Sequence, residues 1–206
     1  MGVVAAWQGR VRVRRPSAEL GRVLVAWAMM AAQGGRRLFE SLFVMRTGRT
    51  PMLAAHWVLA LVFYAVVSVA VWVEGSGDIV ESWHSGKRAL LLTTRVPWTL
   101  AVFFTAWLKQ NECHRYLAGL KKYTLPDRGL FKYIVCPHYT CECVIYLALS
   151  VMAAPPGNLF STTLLCGLAF VVVNLAVTAS STKQWYADKF GADKVAHKWI
   201  MIPGMF

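Results

Sequence analysis

The chain has 206 residues, 57% of them hydrophobic and only 16% charged, with a mean hydropathy of +0.46. A soluble domain of this size carries more charge, and the apolar residues here gather in blocks of about 20, the length that crosses a bilayer core. A net charge of +12 points to nucleic acid in a soluble protein, but here Lys and Arg fall between the apolar blocks with no nucleic-acid motif, so no nucleic-acid partner is expected.

The pattern predicts an all-α, polytopic transmembrane helical bundle with four spans. The first is 53–73, uncharged throughout, and the second is 89–108, interrupted by Arg95 and by Pro97, which is expected to kink it. The third is 139–154, short and carrying Glu142, and the fourth is 159–180. An apolar stretch over 22–33 leaves room for a fifth helix, too short alone to span comfortably. Pro155-Pro156-Gly157 reads as a tight turn between the last two spans. The domain reading is a basic N-terminal segment with a short apolar helix over 1–35, then one membrane domain over 36–206.

Charge alternates between the spans. Segments 36–50 and 109–138 and the C-terminal tail are basic, whereas 74–87 is an acidic loop with Glu74, Asp78 and Glu81. The positive-inside rule puts the basic segments in the cytoplasm and 74–87 on the far side. Arg10, Arg12, Arg14 and Arg15 fit this poorly if 22–33 spans, and no signal peptide is legible before them.

Glu142 is the most informative residue, because a carboxylate inside an apolar span is costly and is retained for a partner or a task; a snorkelling interfacial glutamate is the plainer reading. Arg95 is explained by snorkelling. Arg37, Lys121 and Lys183 could bind phosphates and Tyr123 and Tyr186 a base or nicotinamide, although lipid headgroups account for the charge equally well. No GxGxxG turn is placed for a Rossmann domain. Cys136, His138, Cys141, Cys143 and His114 invite a metal, but two thiolates one residue apart at a helix start do not easily face one ion, and no metal site is expected. The odd count of five cysteines argues against a disulfide framework.

Four stretches, in order, carry a resemblance. GLFKYIVCPHYTCECVIY (129–146) resembles the GLFxYVSxPNYxxEIxxY segment of the steroid 5-alpha-reductase family, and KQWYADKFGADKVAHKWIMIPGMF (183–206) is similar to that family's terminus. RRLFESLFV (36–44) and QNECHRYLAGLKK (110–122) look like its polyprenol-reductase branch. The resemblance implies an NADPH-dependent oxidoreductase of the endoplasmic reticulum membrane. It would reduce the alpha-isoprene double bond of a polyprenyl aldehyde or alcohol toward dolichol, the lipid carrier of N-glycosylation, with a polyisoprenoid lipid as substrate.

By position, Glu142 matches the family's glutamate near the nicotinamide and Tyr186 its terminal tyrosine, the two catalytic candidates. Arg37, His114, Lys121, Tyr123, His138, Lys183 and Lys198 are the cofactor-binding candidates. The departures are specific: Lys183 stands where the family has histidine, His138 where it has asparagine, and Lys198-Trp199 where it has an Arg-Lys pair. The family's upstream helices are expected to be missing here, which leaves an inactive relative as one rival reading. A membrane methyltransferase of the isoprenylcysteine or phospholipid type is the other, although WYxxKF fits the reductase better.

Overall fold

The computed structural model describes residues 20–45, 53–85, 95–155 and 157–205. Arg10 to Arg15, Arg46 and Arg49, and the side chains of Glu74, Asp78 and Glu81, lie outside the described residues.

Helix α1 (Leu20–Phe39) runs into a single π turn (Glu40–Val44). Helices α2 (Ala54–Ser85) and α3 (Arg95–Gly119) follow, then a 3₁₀ turn (Gly129–Lys132). The chain continues through α4 (Pro137–Met152), α5 (Thr162–Phe190) and a last short turn, α6 (Asp193–Ala196). Each of the four expected spans overlaps a helix over its described residues. The described residues contain no strand beyond an isolated parallel bridge between Ile134 and Trp199.

Helix α4 is the hub, packed against α3, α5 and α1. Its Ile145, Tyr146, Ala148, Leu149 and Met152 are buried with Phe103 of α3, Leu164 and Val171 of α5, and Val23, Ala26 and Met29 of α1. These α4 positions recur at helical spacing on one face, which is why a 16-residue helix becomes a core element. At about 1.5 Å per residue it is roughly 24 Å long, short of a bilayer core.

One expectation needs correction. The acidic segment 74–87 is not a loop over its described part, because α2 continues as helix to Ser85. Arg95, the first described residue of α3, donates its Nη1 to the Asn158 carbonyl at 2.8 Å.

Among the described residues one helix, α5, is long and apolar enough to cross a membrane; α2 adds a shorter apolar stretch, Val58–Trp72. Of the four expected spans, the fourth is thus a helix of full membrane length among the described residues. Large apolar side chains nonetheless face outward, with Val173 and Val177 each 65% exposed and Trp98 75%. Exposed apolar surface of that kind, with one membrane-length helix, points to a membrane protein.

The bundle has two distinct ends. At one, the α4–α5 turn lies against the start of α3 through Arg95 and Asn158, and buried Arg22 of α1 caps α4 by donating to the carbonyls of Val151, Met152 and Ala154 at 3.2, 3.1 and 2.8 Å. Gly157 allows that turn at a φ of 83°. At the other, the C-terminal tail docks on the segment leading into α4. Val135 N–H donates to Trp199 O at 2.8 Å, Cys136 N–H to Ile200 O at 3.1 Å, and Lys198 Nζ to Pro126 O at 3.0 Å.

Candidate functional site

A cavity of about 380 Å³ opens near the tail-bearing end, between α2, α3, α4 and α5. Its wall is divided. Arg37, Gln110, His114, His138 and Glu142 form the polar part, whereas Phe63, Tyr64, Tyr146 and Phe170 lead the apolar part. Phe63 stacks on Phe170 with ring centroids 5.3 Å apart and lies 5.7 Å from Tyr146.

The polar part is built from two carboxylates joined by side-chain amides and guanidinium groups. Glu142, in the second turn of α4, is half-buried and accepts from Gln33 Nε2 at 3.2 Å and from Gln110 Nε2. Gln110 Nε2 also reaches the His138 carbonyl at 3.1 Å. Arg36 joins the two halves by donating to Gln33 Oε1 at 2.8 Å, to Gln110 Oε1, and to Glu40 Oε1 at 2.6 Å. The helical spacing explains the assembly: Gln33, Arg36 and Glu40 are three or four residues apart and fall on one face of α1 and its π turn.

Glu40 is fully buried. Besides Arg36 it accepts from Asn111 Nδ2 at 2.7 Å, His114 Nδ1 at 2.7 Å and Arg37 Nη1 at 3.0 Å. Burial pushes its carboxyl pKa up, but the Asn111 hydrogen bond and the neighbouring His114 and Arg36 outweigh this, and the net direction is down. Glu40 is therefore a carboxylate. His114 lies beyond the apolar half of α3, and burial, then the charge of Arg37, holds its imidazole pKa below the usual value despite Glu40. His138, at the second residue of α4, is pushed down to about 3, chiefly by burial, and its Nδ1 is buried without a hydrogen-bond partner.

Of the nine residues singled out from sequence, Arg37, His114, His138 and Glu142 share this cavity. The other five do not line it. Tyr186 packs among Val135, Cys136, Ala179 and Met201, a cluster that Tyr139 and Leu175 share with the cavity wall, so it stands one layer back. Lys183 Nζ donates to the Lys198 carbonyl at 2.7 Å, and Lys198 is buried against Pro126, its pKa lowered by burial. Both hold the tail. Lys121 is exposed, as is Tyr123, which has a φ of 64° and carries Lys189 Nζ 4.0 Å from its ring centroid and Lys122 Nζ at 4.9 Å. Sequence reasoning assigned no role to Gln33, Arg36, Glu40, Gln110 or Asn111. The available signal was polar residues recurring at helical spacing, within motifs already set apart for other reasons.

Comparison with known proteins follows the same lines. A family model described as 3-oxo-5-alpha-steroid 4-dehydrogenase matches residues 50–206. The polyprenal reductase of Saccharomyces cerevisiae is 31% identical over 169 residues, covering 82% of this chain and 59% of that protein. Polyprenal reductase 1 of Arabidopsis thaliana is 28% identical over 203 residues, covering 84% and 62%, and polyprenal reductase of Homo sapiens 26% over 183 residues, covering 83% and 56%. The chain thus spans about 60% of the length of these relatives. No solved structure matches it. The chain belongs to the steroid 5-alpha-reductase family, on its polyprenal reductase branch.

Proposed function

We propose that this chain carries the reductive site of an NADPH-dependent oxidoreductase that saturates the alpha-isoprene double bond of a polyprenal, on the way to dolichol in the endoplasmic reticulum membrane. The observation that carries the reading is the divided cavity. Its volume lies within the range of small-molecule sites, and it sets a few convergent polar groups against an aromatic wall, as a polar-headed isoprenoid requires.

The residues also fit a nicotinamide. Glu142 offers carboxylate oxygens to a carboxamide N–H, and the unpartnered His138 Nδ1 leaves one buried polar atom open to a ligand. Lys122 and Lys189, beside the exposed rings of Tyr123 and Trp185, and the exposed Lys121 adjacent in sequence are the cations we assign to the dinucleotide's phosphates. When bound, NADPH supplies a hydride to the beta carbon of the conjugated aldehyde.

The chain's own contribution is electrostatic. Arg37 brings a fixed cation to the polar wall, where charge develops on the carbonyl oxygen, and His114 sits beside it. Phe63, Tyr64, Tyr146 and Phe170 take the first isoprene unit and shield the hydride-accepting beta carbon. Tyr186 acts from behind the wall, by supporting Tyr139.

The test uses the purified chain in detergent, with NADPH titrated by equilibrium binding and its oxidation followed with a short polyprenal. Saturable binding and a product reduced only at the alpha-isoprene unit are expected. Binding of S-adenosylmethionine in place of NADPH would overturn the reading in favour of a methyltransferase.

A further inference from the structure

The buried carboxylate behind the cavity is left without a role by the reading above. Glu40 does not line the cavity, yet two of the residues that donate to it, Arg37 and His114, do. Both meet the same oxygen, Oε2, at 3.0 and 2.7 Å, which brings Arg37 Nη1 to 3.0 Å from His114 Nδ1. An ionised carboxylate accepts only, so the His114 nitrogen facing it carries the proton. The other nitrogen, Nε2, is then the unprotonated one, 3.4 Å from Arg37 Nη1.

We propose that Glu40 is a positioning residue, which fixes His114 as the neutral Nδ1–H tautomer and clamps Arg37, so that Arg37 alone is the cation at this wall and His114 Nε2 is a hydrogen-bond acceptor. This rests on the reductase reading for its consequence, though not for its geometry. The groups that set the state of His114 come from every side: Glu40 in the π turn, Arg36 and Arg37 at the end of α1, His138 with its ring 5.5 Å away at the start of α4, and Glu142 across the same cavity. Burial and the two arginines oppose an imidazolium and Glu40 favours one; the first group prevails.

The chemical consequence is specific. Hydride addition breaks the carbon–carbon π bond, forms the new bond at the beta carbon, and moves the electron pair onto the carbonyl oxygen as an enolate. With His114 neutral, that enolate is stabilised by Arg37 rather than protonated by an imidazolium, and the proton that completes the aldehyde comes from water at the alpha carbon. Turnover of the wild-type protein should then show no loss that follows an imidazole titration between about pH 6 and 8.

The primary readout needs no cofactor: ¹⁵N spectra of histidine-labelled protein in detergent, with His114 assigned through His114→Gln. The expected result is a protonated Nδ1 and a bare Nε2 across neutral pH. A protonated Nε2 in the wild-type protein would overturn the proposal outright. In Glu40→Gln, an amide N–H can donate to Nδ1, so the tautomer should invert and the pKa of His114 should fall further, since a neighbour that raised it is gone. Glu40→Asp keeps the charge and should retain the tautomer, which serves if Glu40→Gln does not fold.

Kinetics supply the second arm. Glu40→Gln should lower kcat/KM for a polyprenal by about tenfold or more, with NADPH affinity changed less than about threefold. Wild-type turnover with an unchanged tautomer in Glu40→Gln would sink this inference alone. A wild-type protein that neither binds NADPH nor reduces the aldehyde would instead sink the reductase reading, and leave the tautomer result standing.

Discussion

Glu142 shows how far one residue can be read. Its position in an apolar run marked it as costly, and cost implies partners. The partners themselves were not legible, because Gln33 and Gln110 lie on other helices, 109 and 32 residues away in sequence. Both amides donate to the carboxylate, so Glu142→Gln leaves one amide facing an N–H and removes the charge. The variant should stay folded, lose about 1–3 kcal/mol of stability, and turn over polyprenal roughly 10- to 100-fold more slowly. Steady-state kinetics with a melting curve on the same preparation checks this; unaltered turnover would reduce Glu142 to a structural acceptor. Tyr186 is the opposite case. A motif singled it out, but it stands one layer behind the cavity, and a motif carries order along the chain, not distance in space.

At the scale of elements, helix existence was legible and helix function was not. Period and composition marked all four long apolar stretches, but not that α2 continues through the acidic segment to Ser85, since hydropathy falls wherever a helix leaves its apolar stretch. The shortest of the four is the hub. Its C-terminal carbonyls would be orphaned in an apolar setting, and Arg22 supplies three hydrogen bonds to them from α1. Arg22→Ala should therefore cost about 3 kcal/mol, with Arg22→Lys intermediate because an ammonium lacks the planar fork. Denaturation in detergent followed by circular dichroism measures it. A melting point equal to wild type would show that water or lipid caps α4 instead. Ser161 closes the same turn from the other side: it caps α5 by accepting from the Leu164 N–H at 3.3 Å, while Ser150 Oγ donates to its carbonyl at 3.0 Å.

For the whole molecule, charge alternation and tertiary contacts agree. The basic segment 109–138 and the tail were expected on one side of the membrane from charge alone. They touch at one end of the bundle, through Val135 with Trp199 and Lys198 with Pro126, while the turn after α4 lies at the other end with Arg95. A glycosylation acceptor inserted beside Asn158 should be modified in microsomes, and one beside Lys194 should not. The reverse pattern would invert the topology and turn the cavity's polar wall toward the lumen.

Sequence by itself determined the membrane character, the helical class, the approximate place of each helix and the family, because hydropathy period, charge asymmetry and ordered motifs are properties of the chain read in one dimension. Only tertiary structure decided which polar residues form one site. Gln33 and Glu40 from α1 and its π turn, Gln110 and His114 from α3, and Glu142 from α4 meet because ionised and amide groups buried in an apolar bundle must satisfy one another. That requirement selects partners by proximity in the folded state, and proximity is set by how the helices pack.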